Sequence, residues 1–587
     1  MSKFLIILLG ILLSHCTTTT PHETPETFKP RGINKLRAQY IDSGKSGMVT
    51  AAHPIASKAG VEVLKQGGNA IDAAIAVSFV ISVVRPQSTG IGGGGFLMYR
   101  NTNNQKVEAW DFREEAPLKA HRDMYLDEKG QPKPFKYKGK EIPRASVNGH
   151  QSAGTPGLVA GLWEIHKAHG SLPWKNLLQP AIIAARDGIP VYPNLARAID
   201  RRKSVLSVFD GSRAIFYPKG VALKAGDTLF QKDLAKTLEA IAEKGADGFY
   251  KGAVAKLIAE EMKRHNGLIT EKDLLNYEVK KREPIEGDFR GHKIYSMPPP
   301  SSGGIHIVQM LNILEGFDGK KKGRFSPEYI NLLTEAMRHA YADRATHLGD
   351  PDFYKVPIKG LTSDGYANEI RKKLSVGKAG DSSKIGPGNP IPYEQPSTTH
   401  FSIVDKNGNA VSSTQTINYT FGSGVVIPGT GILMNDEMDD FSIKADTPNA
   451  FGLIGYEANS IKPGKRMLSS MSPSIITKSN QVQAIVGSPG GSRIITATLQ
   501  VILNRIEFGM TPEDAVHSFR THHQWKPDKI YFEESGMAPQ TKASLESMGY
   551  TLSSSRWNIG DVQAIFYDNG VWVGVSDTRS DGQPMGY

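Results

Sequence analysis

The sequence predicts an α+β fold in which antiparallel sheets form a sandwich covered by helices. Two observations carry this reading. Three hairpin signals stand in the last third of the chain, and long segments of helical or uniformly apolar pattern precede and separate them. The composition agrees: 587 residues with 39% hydrophobic and 22% charged residues describe an ordinary globular chain and exclude a disordered or fibrous one. That length would hold three or four average domains, although single-core enzymes of this size exist. Sixty glycines and 35 prolines imply many tight turns.

Taken in order, the chain opens with Met1-Ser2-Lys3 and an apolar run over 4–13. That run is too short to cross a bilayer and right for a signal-peptide core. It ends in Leu13-Ser14-His15-Cys16, which resembles a bacterial lipoprotein signal with Cys16 as the lipidation point. His15 stands where a small residue is usual, so the alternative is a secretory signal cut elsewhere. Residues 1–15 are thus expected to be the signal. Residues 16–35, rich in Thr, Pro and Glu, read as a flexible, lipid-anchored tether. The protein is expected to be exported, to the periplasm or the cell surface. Pro54 opens a helix that Gly67-Gly68 stops, and Asn69 can cap the next one. The stretch 73–84 is almost wholly apolar but too short for a membrane span, which predicts a helix buried on all sides.

The glycine run Gly90-Ile91-Gly92-Gly93-Gly94-Gly95 lacks the Lys-Ser/Thr of a phosphate loop and predicts a backbone packed close to a neighbour. Helical patterns follow over 177–187, 234–244 and 327–348, with a rigid loop at 297–304. Beyond residue 397 the pattern alternates. The hairpin signals turn at Asn407-Gly408, at Lys478-Ser479-Asn480 and at Asp568-Asn569-Gly570. Helices are expected between them, over 493–508 and 511–519. No internal repeat is visible. Lys and Arg exceed Asp and Glu by 11, but they are scattered, so charge gives no case for nucleic acid. Cys16 is the single cysteine, which rules out an intrachain disulfide and a cysteine-based zinc site. His522-His523 have no evident third ligand and read as structural; neither a metal nor a cofactor is expected.

The segment Pro396-Ser397-Thr398-Thr399-His400-Phe401-Ser402 resembles the start of the catalytic subunit of the gamma-glutamyltranspeptidase family, which are N-terminal-nucleophile hydrolases. Further blocks carry the resemblance in the family's order. They include Gly90–Phe96, Asp111-Phe112-Arg113-Glu114, Gly154-Thr155-Pro156-Gly157, Tyr341-Ala342-Asp343-Arg344, 435–441, 468–473 and 487–493. The resemblance implies a four-layer αββα sandwich. It also implies a precursor cut between Ser397 and Thr398 into a large subunit (36–397) and a small catalytic subunit (398–587) that stay together.

A threonine hydroxyl is a weak nucleophile and needs a base; in this family the α-amine of the nucleophile, here Thr398, supplies it. By the same resemblance Thr416 hydrogen-bonds the nucleophile, and the amides of Gly490 and Gly491 form the oxyanion hole. Arg113 takes the substrate carboxylate with Ser469 and Ser470, and Asn418, Glu437 and Asp440 hold the ammonium. Asp439, between these acids, reads as an exposed member of an acidic turn. A lid over the pocket would have Phe451 at its tip, where bacterial relatives often carry Tyr; Phe keeps the apolar cover and loses a hydroxyl that could bond Asn418. The implied activity is cleavage of γ-glutamyl amides such as glutathione, with transfer to water, amino acids or peptides. Two rivals remain: an acylase for glutaryl-type side chains in the same fold, and an inactive surface lipoprotein.

Overall fold

Two seven-stranded sheets, with neighbouring strands antiparallel throughout, lie face to face in the computed structural model. It describes residues 39–385, 396–445, 447–449, 451–534, 536–555 and 558–587. The signal, Cys16 and the tether lie outside the described residues. Across the first sheet the strands run Gln583–Gly586, Met48–Ala51, Pro396–Val404, Ala410–Tyr419, Gly94–Arg100, Val107–Phe112 and Lys280–Arg282. Across the second they run Ile41–Gly44, Val571–Ser576, Gln563–Asp568, Gln481–Gly487, Ser474–Lys478, His292–Ser296 and Ile285–Phe289. Both sheets combine strands from before and after residue 397, so the two halves of the chain pack together.

Helices Pro54–Lys65, Ala70–Val84 and Leu158–His169 cover the outer face of the first sheet. Gly303–Glu315 and Arg493–Ile506 cover the second, with Pro327–His347 behind them. The expected four-layer αββα sandwich is therefore present. The local reasons are those read from the sequence. His53 and Asn69 cap the first two helices, Asn69 through a reciprocal capping box with Asp72, and all of Ala70–Val84 is buried. The three hairpins form where expected, with positive φ at Gly408, at Ser479 and Asn480, and at Asn569 and Gly570.

Two departures from the sequence reading lie beside the second sheet. The hairpin Ile285–Phe289/His292–Ser296 is interrupted by Gly287, where a Cβ would sit 2.7 Å from Val308 Cγ2, so its alternation is broken. The stretch expected as a loop at 297–304 gives Gly303 and Gly304 to the first turn of the following helix.

Strand parity decides which side chains reach the chemistry. Phe401 and Ile403 point into the core under the helices, whereas Val404 joins the core between the sheets. On that inner side Ser402 Oγ donates to Gln563 O (3.0 Å), and a Cβ on Gly487 would strike the His400 ring at 2.3 Å. Thr398 has the parity of His400 and Ser402 and faces the gap between the sheets.

The glycine run packs as expected: a Cβ on Gly92 would lie 2.3 Å from Leu433 O, and one on Gly93 2.0 Å from Thr416 O. The partner is backbone, which cannot swing aside. Gly93→Ala is expected to destabilise by at least about 1–3 kcal/mol, the cost of overpacking. Gly360→Ala, with open space around it, should be near neutral. Thermal melts of both variants check this, and a Gly93→Ala curve superimposed on wild type would contradict it.

Candidate active site

Thr398 enters its strand at a flaw in the pairing: Pro396 faces Tyr419, Thr398 faces Thr416, and the register shifts between them. The Thr398 side chain is 6% exposed, and its Oγ1 lies 3.3 Å from Thr416 Oγ1. Thr416 Oγ1 in turn accepts from the Asn418 backbone N–H at 2.7 Å. Asn418 is left-handed (φ +72), and its Nδ2 donates to Asp436 O at 3.1 Å. This kink ends the strand and turns the chain toward the acidic 3-10 turn Glu437–Asp440.

Two cavities meet at Thr398. The inner one is narrow and is lined by Arg113, Asn418, Glu437, Asp440, Ser469 and Ser470, among others. At its floor Arg113, 1% exposed, bonds Glu437 through Nη1 and Asp440 through Nη2, the latter at 2.5 Å. Glu114 lies 3.6 Å from Nη1. Burial pushes the Arg113 guanidinium down, but Glu437, Asp440 and Glu114 outweigh it and leave it above its usual range. The carboxyls are crowded. Burial raises Asp440 to about 6 and Glu114 to about 7, in each case against the pull of Arg113, and holds Glu437 well above its usual range.

The Ser469-Ser470 pair sits on the inner wall. Ser470 Oγ accepts from Arg344 Nη2 at 3.1 Å, and Ser469 Oγ accepts from the Met471 N–H at 3.1 Å. Gly490 (φ +140) and Gly491 (φ +54) make the strand-to-helix turn, both in backbone regions that favour glycine. Gly491 borders the inner cavity and Gly490 the outer cleft, an opening of about 200 Å³ lined also by Arg85, Asn194, Arg201 and Asp561. Phe451 lines the inner cavity half-buried. Its segment is tied down where Asn449 Nδ2 donates to Asp440 Oδ1 (3.3 Å) and Gln524 Nε2 to Gly452 O (3.2 Å).

The structure thus brings Thr398, Thr416, Arg113, Asn418, Glu437, Asp440, Ser469, Ser470, Gly490, Gly491 and Phe451 to one place. It corrects the reading of Asp439 as exposed. Asp439 is 1% exposed and accepts from Ser146 Oγ at 2.6 Å, because the turn is pressed against the segment 144–152. Arg344 is a site residue to which sequence reasoning gave no role. Its motif 341–344 was visible, but only packing turns its guanidinium to Ser302 and Ser470. Burial, with Arg113 nearby, lowers Arg344 to about 10. His522 and His523 go separate ways, to Thr496 and Gln524 and to Asp528 and the Trp525 amide.

A hydroxyl nucleophile beside a glycine turn, opening on a charged pocket on one side and a wide cleft on the other, can divide an amide into acyl and amine halves. Comparison with known proteins agrees. The family model for gamma-glutamyltranspeptidase matches residues 56–587. The glutathione hydrolase proenzyme of Escherichia coli (strain K12) is 48% identical over 546 residues, 92% of each chain. The crystal structure of a cephalosporin acylase from Bacillus halodurans superimposes with TM-score 0.83 at 30% identity, covering 95% of this chain and 99% of that one. A chain of Helicobacter pylori gamma-glutamyltranspeptidase gives 0.55 at 40% identity, covering 61% and 97%. With the fold, the ordered motifs and these matches in agreement, the chain belongs to the gamma-glutamyltranspeptidase family.

Proposed function

We propose that the chain is a self-processing gamma-glutamyltransferase and glutathione hydrolase. The observation that carries this reading is Arg113 held between Glu437 and Asp440 at the floor of the cavity that opens at Thr398. A γ-glutamyl head carries an α-carboxylate and an α-ammonium side by side. It enters this floor by partner exchange. Its carboxylate takes Arg113, with Ser469 and Ser470 beside it, and its ammonium takes Asp440, Glu437 and Asn418. Every buried charge stays paired, which a low-dielectric pocket requires. A glutaryl chain brings the carboxylate without the ammonium. It would leave Asp440 and Glu437 displaced and uncompensated, which disfavours the acylase reading. The inactive-lipoprotein reading loses its basis because nucleophile, glycine turn and charged floor are all in place.

Processing comes first. Thr398 Oγ1 attacks the Ser397 carbonyl carbon, the C–N bond breaks, and an ester joins Ser397 to the Thr398 oxygen. Water opens the ester, leaving a carboxylate on Ser397 and a free amine and hydroxyl on Thr398. In turnover that amine takes the hydroxyl proton as Oγ1 attacks the γ-carbonyl. Thr416 Oγ1, 3.3 Å away, orients the attacking oxygen. The Gly490 and Gly491 amides receive the oxyanion. The C–N bond breaks as the amine passes the proton to the leaving nitrogen, and the amine product departs through the outer cleft. Water then releases glutamate, or an amino acid or peptide entering by the same cleft takes the glutamyl group. The chemistry is complete with these groups and uses no metal or cofactor.

We also propose export, with Cys16 lipidated. Among the described residues no helix is long and apolar enough to cross a membrane. Several acyl chains on one residue would hold the enzyme firmly, since each buried CH₂ contributes about 0.8 kcal/mol.

Three outcomes are expected. A denaturing gel with N-terminal sequencing should give two chains for wild type, the smaller beginning at Thr398, and one chain for Thr398→Ala. The same wild-type protein should split a γ-glutamyl anilide far faster than a glutaryl anilide; the reverse preference would establish the acylase. Second, binding the ammonium needs ionised Asp440, so kcat/KM for the anilide should fall as pH drops through about 6, by about tenfold per unit below it. Asp440→Asn should be slow at every pH and lack this limb. Third, cells fed radioactive palmitate should label wild type and not Cys16→Ser. Unlabelled wild type whose N-terminus lies beyond residue 16 would mean a secreted enzyme without a lipid.

A further inference from the structure

His150, Glu261 and His265 converge away from the nucleophile; none of them lines either cavity that Thr398 opens into. Glu261 lies in the last turn of helix Gly252–Arg264, and His265 follows four residues later at its C-cap, on the same face. The chain then reverses tightly. Asn266 is left-handed (φ +57), and the Gly267 N–H donates to Met262 O at 2.7 Å. A Cβ on Gly267 would sit 3.1 Å from His150 Cβ, so this turn is folded directly onto the histidine. His150 comes from the short 3-10 turn His150–Ser152.

The geometry is that of a coordination site. Glu261 Oε1 lies 3.3 Å from His150 Nε2 and 3.5 Å from His265 Nε2, and the three atoms are all within 4.8 Å of one another. Ligand atoms about 2.0–2.1 Å from a tetrahedral zinc are about 3.3–3.4 Å apart. Glu261 Oε2 is engaged by Arg264 Nη1 at 2.7 Å, which leaves Oε1 turned toward the two rings. The His150 ring stacks on Tyr137 (5.9 Å, 13°) and meets Phe209 edge-on at 5.6 Å. Its Nδ1 is buried without a hydrogen-bond partner, so Nε2 is its polar anchor. His265 is 17% exposed at its side chain, which gives an ion and a water ligand a way in.

We propose that His150, Glu261 and His265 bind one divalent ion of the zinc class, with water as the fourth ligand. The site is structural. The His150–Ser152 turn packs on the Glu437–Asp440 turn, and Gly154, shortly after it, donates to Asn435 Oδ1 at 2.9 Å. An ion here would fasten helix Gly252–Arg264 to the segment that backs the charged pocket.

The processed enzyme, stripped by a chelator and dialysed, is titrated with ZnCl₂ by calorimetry and melted with and without Zn²⁺. Cobalt chloride then serves as a spectroscopic probe of coordination. One saturable Zn²⁺ per large–small pair, a raised melting temperature and the visible spectrum of four-coordinate Co²⁺ are expected. Removing an outer partner of a ligand already costs 10–100-fold in affinity, so His265→Ala and Glu261→Gln should each bind at least about 100-fold more weakly. Their melting temperatures should no longer respond to Zn²⁺. Both variants alter the rim of the cluster and leave His150 in its aromatic packing, so folding is retained. No saturable uptake by wild type, or a loss of less than about tenfold in both variants, overturns the proposal and leaves a histidine–carboxylate hydrogen-bond cluster.

Discussion

A buried arginine cannot stand unpaired, and the arrangement around Arg113 answers that constraint. The residue follows directly on strand Val107–Phe112. Its backbone is pinned where its N–H donates to Asp111 Oδ1 (3.0 Å) and its carbonyl accepts from Tyr277 Oη (2.7 Å). The guanidinium then reaches Met467 O, Glu437 and Asp440, which belong to segments more than 300 residues away in sequence. One cation thus ties the end of strand Val107–Phe112 to the acidic turn and to the segment that carries Ser469 and Ser470. Three carboxyls compete for it. Burial therefore raises all three, Asp440 to about 6, Glu114 to about 7 and Glu437 well above its usual range, against the pull of the one guanidinium they share.

Thr398, the proposed nucleophile, depends on a steric constraint of a different kind. Thr398 and Thr416 face each other because the hairpin register puts them opposite, and that register is held from below by glycines. Gly93, Gly94 and Gly95 approach the carbonyls of Thr416, Phe112 and Thr414 more closely than any Cβ would permit. On the other side of Thr398 the Gly490-Gly491 turn crosses between the two cavities. Polar groups line the gap between the sheets as well. His400 bonds Thr414 and Ser402 there, and burial holds it down to about 3, so it remains neutral and structural.

The outer cleft rests on a second buried ion network, built on the same logic. Arg579 pairs with Asp577 (2.7 Å) and Glu533 (2.6 Å), and Arg520 with Asp577 (2.8 Å), all almost fully buried. Burial alone would raise Asp577, but the two arginines hold it down. These charges pair with one another in the wall of the cleft, whereas Arg113, Glu437 and Asp440 line the inner cavity, where under the proposed function they exchange partners with a ligand.

The sequence by itself determined much of the local structure and pointed to the proposed reacting group. The helix start at Pro54, capping at Asn69, the uniformly apolar run through Val84 and the turns at Gly408, Asn480 and Gly570 are set by neighbours a few residues apart, so they were legible. The ordered motifs likewise marked Thr398, Arg113 and the glycine pair, through resemblance rather than through any local pattern. Only the tertiary structure decided what surrounds them. The burial of Asp439, the approach of Arg344 to Ser470, the two cavities meeting at Thr398 and the convergence of His150 on Glu261 and His265 each join segments far apart in the chain. The hairpin at 285–296 escaped because Gly287 answers to Val308 on a helix and not to its own strand. Side-chain chemistry is written residue by residue. Burial and partner choice, which set charge state and reactivity, exist only once distant segments have packed and water has been excluded.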